Sequence, residues 1–290
     1  MNFRIFDCHL HTYGTFLGPD KDLIKYLDKN NIEKAVLTTI NRAAKSKIFN
    51  KNPEESEKDG QEKTNINQAF ENLRKMLPKY QLDHEDVVSI SNLDPKRFLK
   101  FFWFNPKIDL DKEDKNYRIL EDHFKKGFCG VKIHSGINLI KIPRDITKLV
   151  SFMQDFDKKF PLFIHSTPKT SYFGGVSCKD IANLASDNPE LTIIVGHAAF
   201  AMEYAIDLGL MLKKYPNVYF ETSCSIPYGI LSLTKTIGHK RILFGSDAPV
   251  TNPISLEIDK INYLPISNDK KQDIFYNNAE KLFSQINCWN

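Results

Sequence analysis

Short apolar runs alternate along the chain with segments of helical periodicity. The runs at 34–40, 98–104, 130–134, 161–165, 191–197, 218–223 and 241–247 read as strands. The opening stretch Ile5-Phe6-Asp7-Cys8-His9-Leu10-His11, with its alternation, makes an eighth. Amphipathic segments at 21–29, 117–126, 146–158, 179–185, 202–214, 226–237 and 269–284 predict helices, and Gly127 is placed to stop one of them. A strand followed by a helix, repeated, argues for a parallel sheet, and eight such units argue for a closed α/β (β/α)8 TIM barrel. The expected organisation is one domain over 1–290. A doubly wound open sheet is the alternative, but no GxGxxG follows the first strand.

One stretch breaks the rhythm. Residues 41–95 form an insertion after the second strand, with a polar, charge-rich part at 50–67 and an amphipathic helix at 68–76. Insertions after barrel strands commonly form lids or binding loops over the C-terminal face, and surface decoration is the other reading.

In the first strand the period of two puts Ile5, Asp7, His9 and His11 on one face, with the two histidines roughly 7 Å apart along the backbone. Two imidazoles so placed are able to converge on one divalent ion. A partly buried polar patch would have the same spacing, so the pair needs partners from elsewhere. Barrels collect functional residues at the C-terminal ends of their strands. Those ends carry Asn105, Lys132 and His134, His165-Ser166, Gly196-His197, Glu221-Thr222-Ser223 and Gly245-Ser246-Asp247. Of eight histidines, five lie there (His9, His11, His134, His165, His197), while His84, His123 and His239 have the look of surface residues. Zinc in a hydrolytic site takes three or four nitrogen and oxygen ligands and lowers the pKa of a bound water from about 16 to about 7. His9, His11, His165 and Asp247 supply such ligands together with a carboxylate base, and His197 supplies a group to polarise the substrate or protonate a leaving group.

With those residues in view, the chain resembles the amidohydrolase superfamily, specifically its amidohydrolase-related (amidohydrolase 2) branch of barrel hydrolases and decarboxylases. The matching pieces are Asp7-x-His9-x-His11, Gly130-Val131-Lys132-Ile133-His134, Phe163-Ile164-His165, Gly196-His197, Glu221-Thr222-Ser223, Phe244-Gly245-Ser246-Asp247-Ala248-Pro249 and the closing 277–283 segment. The resemblance implies that His9, His11, His165 and Asp247 hold one divalent metal, most often zinc, that Asp247 and His197 are catalytic, and that Asp7 orients the ligands by hydrogen bonds or is a buried structural carboxylate. Lys132 is expected to be a free ammonium facing a substrate carboxylate or carbonyl, beside His134. In binuclear branches the corresponding lysine is carbamylated and bridges a second metal. The implied activity is hydrolysis of an amide, ester or lactone of a small carboxylate-bearing substrate, with decarboxylation of an aromatic or enoic acid as the alternative.

Composition narrows the setting. Hydrophobic residues are 41% and aromatics 12% of the chain, enough for a sizeable core. The 40 basic and 36 acidic residues leave a mild charge of +4 with scattered lysines, unlike the clustered stripe of a nucleic-acid binder. Five cysteines without a CxxC motif suggest a reducing, cytoplasmic setting and no disulfide framework. Asp7 and His9 fall where the apolar core of a signal peptide would lie, and no run reaches the roughly 18 apolar residues of a membrane span. The expected partners are a small-molecule substrate but neither nucleic acid nor membrane, with a homodimer left open.

Overall fold

The computed structural model describes residues 3–18, 21–40, 82–108, 113–169 and 175–289. Eight strands lie side by side in chain order, each paired in parallel with the next. They are β1 (Ile5–His11), β2 (Ile32–Thr38), β3 (Phe98–Trp103), β4 (Phe128–His134), β5 (Leu162–His165), β6 (Ile193–Gly196), β7 (Val218–Glu221) and β8 (Ile242–Leu243). The intervening helices are α1 (Leu23–Lys29), α2 (Glu85–Ser91), α3 (Glu113–Lys125), α4 (Thr147–Gln154), α5 (Cys178–Asp187), α6 (Met202–Leu212), α7 (Pro227–Ile237) and α8 (Ile254–Asn262). Local chemistry sets several ends. Asp22 caps α1 by accepting a hydrogen bond from Lys25 N at 3.1 Å, and Ser177 with Asp180 forms a capping box on α5. Pro227 opens α7 and Gly238, at φ 84°, closes it.

The last strand departs from expectation. The apolar run predicts a strand through Asp247, yet the β7–β8 ladder holds only Ile242–Leu243. Beyond it the chain leaves β7 and closes the barrel on β1. Cys8 N donates to Phe244 O at 2.8 Å, His11 N to Ala248 O at 2.8 Å, and Asp247 N to His9 O at 2.7 Å. Asp247 itself adopts φ 53°, the left-handed region, which turns its side chain away from an extended path. The eight parallel strands with their helices are a TIM barrel.

Other boundaries also move. The helix expected at 146–158 stops at Gln154, and the one at 269–284 is α9 (Asn268–Gln272), a π-helical turn (Asp273–Asn277) and α10 (Asn278–Gln285). Helix α8 follows Pro253 and was not anticipated, and α2 occupies part of the 41–95 insertion. The polar stretch 50–67 and the helix expected at 68–76 lie outside the described residues. Among the described residues no helix is long and apolar enough to cross a membrane.

Two apolar layers hold the barrel. Ala35, Leu37, Val131, Ile133, Leu162, Ile164, Ile193 and Val195 pack outward against helices through Leu27, Leu120, Leu149, Ile181 and Leu208. Inside, Phe6, Val36, Leu99, Phe101, Phe163, Ile194 and Leu243 form a plug together with Ala279, Leu282 and Phe283 of α10. Helix α10 thus stoppers the N-terminal mouth, with the Phe283 ring 5.4 Å from Phe6 and 6.0 Å from Phe101. Gly130 and Gly196 leave room for this plug, because a Cβ at either would collide with the Phe101 or Phe163 ring. Truncating the fully buried Phe283 to alanine removes the stopper and should cost about 3–5 kcal/mol. Denaturant unfolding measures this, and a loss under about 1 kcal/mol would show that the plug does not hold the barrel.

Candidate metal centre and active site

The C-terminal ends of β1 and β8 bring three acceptor atoms together. His11 Nε2 lies 3.0 Å and His9 Nε2 3.1 Å from the same Asp247 Oδ1. Both rings are set with Nε2 forward because Nδ1 is engaged behind. His9 Nδ1 faces Glu221 Oε2 at 3.3 Å and Ser223 Oγ at 3.2 Å. His11 Nδ1 faces Thr39 O and Thr38 Oγ1, each at 3.2 Å. A carboxylate and a carbonyl only accept, so both Nδ1 atoms carry the proton and both Nε2 lone pairs open into the space shared with Asp247 Oδ1 and Lys132 Nζ. Two nitrogen lone pairs about 3 Å from one carboxylate oxygen are disfavoured unless a cation stands among them, and the three atoms, all within 4.8 Å of one another, are close enough to share one ion. The donor set therefore fits a divalent metal.

Glu221 is the anchor behind the site. Its Oε2 accepts from Ser223 Oγ at 2.8 Å and from His197 N at 3.2 Å, and its Oε1 accepts from Ser223 N at 2.5 Å. Gly245 on the neighbouring segment is required, because a Cβ there would collide with Glu221 Oε1. Burial alone would raise the Glu221 carboxyl, but the hydrogen bonds it accepts, from His9 first and then Ser223, help to hold the group below the usual range. Asp7 works through backbone rather than rings. It accepts from His9 N and Ser246 N, both at 3.0 Å, and from Ser246 Oγ at 2.5 Å, so it ties β1 to the segment carrying Asp247. Burial pushes the Asp7 carboxyl up to about 8 against those three hydrogen bonds.

Asp247 is steadied at its other oxygen. Thr251 Oγ1 donates to Oδ2 at 3.0 Å and the Cys224 thiol approaches it at 3.6 Å. Burial would raise this carboxyl, yet the basic groups gathered around it hold Asp247 well below the carboxylate range. Burial, with Lys132 adding to it, depresses His9 to about 3 and lowers His11, so both imidazoles are neutral, as ligation requires.

His197 leaves β6 with φ 56°. Its Nδ1 lies 3.2 Å from Ser223 O and 3.0 Å from Ser223 Oγ, which turns Nε2 toward His165 Nδ1 at 2.9 Å. His165 stacks on His134 at 3.5 Å between centroids, and His134 stacks on Trp103 at 5.3 Å. Unlike His9, His11 and His197, His134 and His165 are partly exposed, which puts them on the solvent side of the cluster. Lys132 is buried, with Nζ 2.6 Å from His9 Nε2 and 3.2 Å from His11 Nε2. Burial lowers its ammonium to about 8, against the opposing pull of Asp247 and Glu221.

Among the described residues, three triplets have ligand atoms mutually within 4.8 Å: His9–His11–Asp247, His9–His197–Glu221 and His197–Cys224–Asp247. His165 belongs to none of them. The three-histidine-plus-aspartate set expected from the sequence is thus brought together as His9, His11 and Asp247, with His165 against His197.

Other residues escaped the sequence reading. Thr38 and Thr39 are unremarkable in sequence, yet they orient His11, and Asp86 on α2 accepts from Thr12 Oγ1 at 2.5 Å and Thr39 Oγ1 at 2.9 Å. Glu221 is legible in the sequence as a polar strand end and as part of the Glu221-Thr222-Ser223 motif, but without a role. His84 is a correction: it is fully buried, stacked on Phe102 at 4.0 Å, and its Nε2 accepts from Trp103 N at 2.8 Å. A lone histidine among polar neighbours gives no sign of such a tertiary role.

Comparison with known proteins follows the same lines. The barrel matches an uncharacterised TIM-barrel protein from Bordetella bronchiseptica with a TM-score of 0.69 at 16% identity, covering 98% of this chain and 99% of that one. It matches a proposed 2-pyrone-4,6-dicarboxylic acid hydrolase from Pseudomonas putida with a TM-score of 0.61 at 13% identity, covering 98% of both chains. It also matches a dihydroxybenzoic acid decarboxylase from Polaromonas, solved with manganese and 2-nitroresorcinol, at a TM-score of 0.57 and 20% identity over 98% and 97% of the two chains. At such identities the likeness establishes the fold. No curated protein matches the sequence. The family model described as Amidohydrolase matches residues 6–285, and with that span the chain belongs to the amidohydrolase family.

Proposed function

We propose that the protein is a metal-dependent hydrolase acting on an amide, ester or lactone of a small, carboxylate-bearing substrate. One observation carries the reading: the Nε2 lone pairs of His9 and His11 converge on Asp247 Oδ1 within 3.1 Å, beside the His197–His165 pair. His9, His11 and Asp247 would hold the ion, with His165 as a candidate fourth ligand. A divalent ion there supplies Lewis acidity and acidifies a water molecule. Zinc suits the donor set, and the manganese of the Polaromonas decarboxylase makes that ion the second to test.

The chain's own residues divide the remaining work. Asp247, kept ionised and held at Oδ2 by Thr251, receives the proton of the attacking water. His197, its Nδ1 fixed by Ser223, presents Nε2 to polarise the substrate carbonyl or protonate the leaving group. Lys132 and His134 of β4 supply contacts for the substrate's acidic group. The partner is a small molecule.

Decarboxylation of an aromatic acid is the second reading, favoured by the fold shared with the Polaromonas enzyme. Incubating metal-loaded protein with carboxylate-bearing lactones and esters, and in parallel with hydroxybenzoates, separates the two. Acid release without carbon dioxide supports hydrolysis, and carbon dioxide from the hydroxybenzoates alone overturns it.

Three further outcomes are expected. His11→Ala should weaken metal binding at least about 100-fold by chelator competition, and unchanged affinity would remove His11 from the ligand set. His197→Asn should keep its metal while kcat/KM falls by roughly 10²–10⁴; a variant as active as the parent would strip His197 of its role. The metal-free fold should be acid-sensitive. Burial depresses both His9 and His84 to about 3, so the unfolded chain takes up protons below about pH 6.5 that the folded chain refuses. His11, His134 and His165 are lowered in the same way, so five histidines outweigh the raised Asp7 and Glu257 carboxyls, which act in the opposite sense. Stability drains away from about pH 6.5 toward pH 3, and a Tm equal at pH 7.5 and 5.0 in chelator would contradict this.

A further inference from the structure

We propose that Lys132 is an internal counter-cation of the candidate metal centre: its ammonium takes the lone pairs that a metal needs, so an ion binds only as Lys132 withdraws. The inference rests on the metal reading above and concerns what this lysine does at that site. Lys132 Nζ lies 2.6 Å from His9 Nε2 and 3.2 Å from His11 Nε2. An ammonium has three donors and no acceptor, whereas each Nε2, with Nδ1 protonated, offers a single lone pair in the ring plane. A lone pair given to Lys132 is not available to a metal.

The surroundings make this a built position. The side chain is buried, and its Nζ stands 4.9 Å from the Trp103 ring centroid and 5.6 Å from that of Phe163, two π faces that favour a cation. Without a cation, each Nε2 lone pair would face Asp247 Oδ1 at 3.0–3.1 Å with no proton between them. Lys132 supplies that cation and keeps the ligands in register. Displaced, the same ammonium becomes free for the acidic group of a substrate, so metal loading and substrate capture are linked through one side chain. A carbamylated lysine would do the opposite, since it would add oxygen ligands and strengthen metal binding.

The sign of one substitution decides. Metal-free wild type, Lys132→Met and Asp247→Asn are titrated with zinc against a chelator. Lys132→Met is expected to bind one equivalent at least about tenfold more tightly than wild type, the scale of one charge-assisted hydrogen bond. Asp247→Asn is expected to bind more weakly. Equal or weaker binding by Lys132→Met overturns the inference while leaving the metal site standing. Absence of binding in both wild type and Lys132→Met overturns the metal reading and the inference with it. If Lys132→Met does not fold, wild type labelled with ¹⁵N-lysine replaces it: a slowly exchanging Nζ resonance should move or vanish on adding one equivalent of zinc. A spectrum that stays put overturns the inference.

Discussion

The buried carboxylate of Glu221 is the constraint on which the site depends. It sits on β7 and gathers donors from β1, β6 and its own strand end: His9 Nδ1, His197 N, Ser223 N and Ser223 Oγ. A buried carboxylate is costly unless its oxygens are satisfied, and these donors satisfy it. In doing so they choose the tautomer of His9, seat the turn that carries His197, and demand a glycine at 245. Asp7 performs the parallel task between β1 and the Ser246–Asp247 segment, replacing the ladder that β8 no longer supplies. The barrel's closure and the aim of its ligands are therefore one network.

That network explains why so many titratable groups share so small a space. His9, His11, His134 and His165 are all lowered by burial, with like-charged neighbours adding to it, and a cluster of neutral imidazoles results. The two carboxylates stay ionised among hydrogen-bond donors and the nearby Lys132 ammonium. Lys132 is the one buried lysine among them. The arrangement suits a cation at the centre, and its cost is carried by the apolar layers around it, including the α10 stopper at the other end of the barrel.

Much of the fold could be read from apolar runs, because in a parallel barrel the strands are buried on both faces and stand out against amphipathic helices. The reading failed where backbone geometry departs from a regular strand. Period two placed Ile5, Asp7, His9 and His11 on one face, but Ile5 packs in the outer layer and the β1–β2 register shifts between Asp7 and Leu10. The run 241–247 is apolar enough for a strand, yet past Leu243 the chain leaves β7 and bonds to β1 instead. Helix α8 does carry a short apolar face, Ile254, Ile258 and Ile261 at helical spacing after Pro253, which the longer closing helix overshadows.

Residue types and their order along the chain were enough to indicate a barrel, a rim of histidines and a candidate metal pair, since strand ends in this architecture share one face. Which atoms meet was settled only in three dimensions. Asp247 reaches His9 and His11 while His165 turns to His197, and Lys132 points at the two Nε2 atoms. Those outcomes hinge on ring tautomers, positive-φ turns and side-chain partners contributed from strands more than a hundred residues apart. Spacing along a chain carries no information about them, because a hydrogen bond is decided by direction and distance in space.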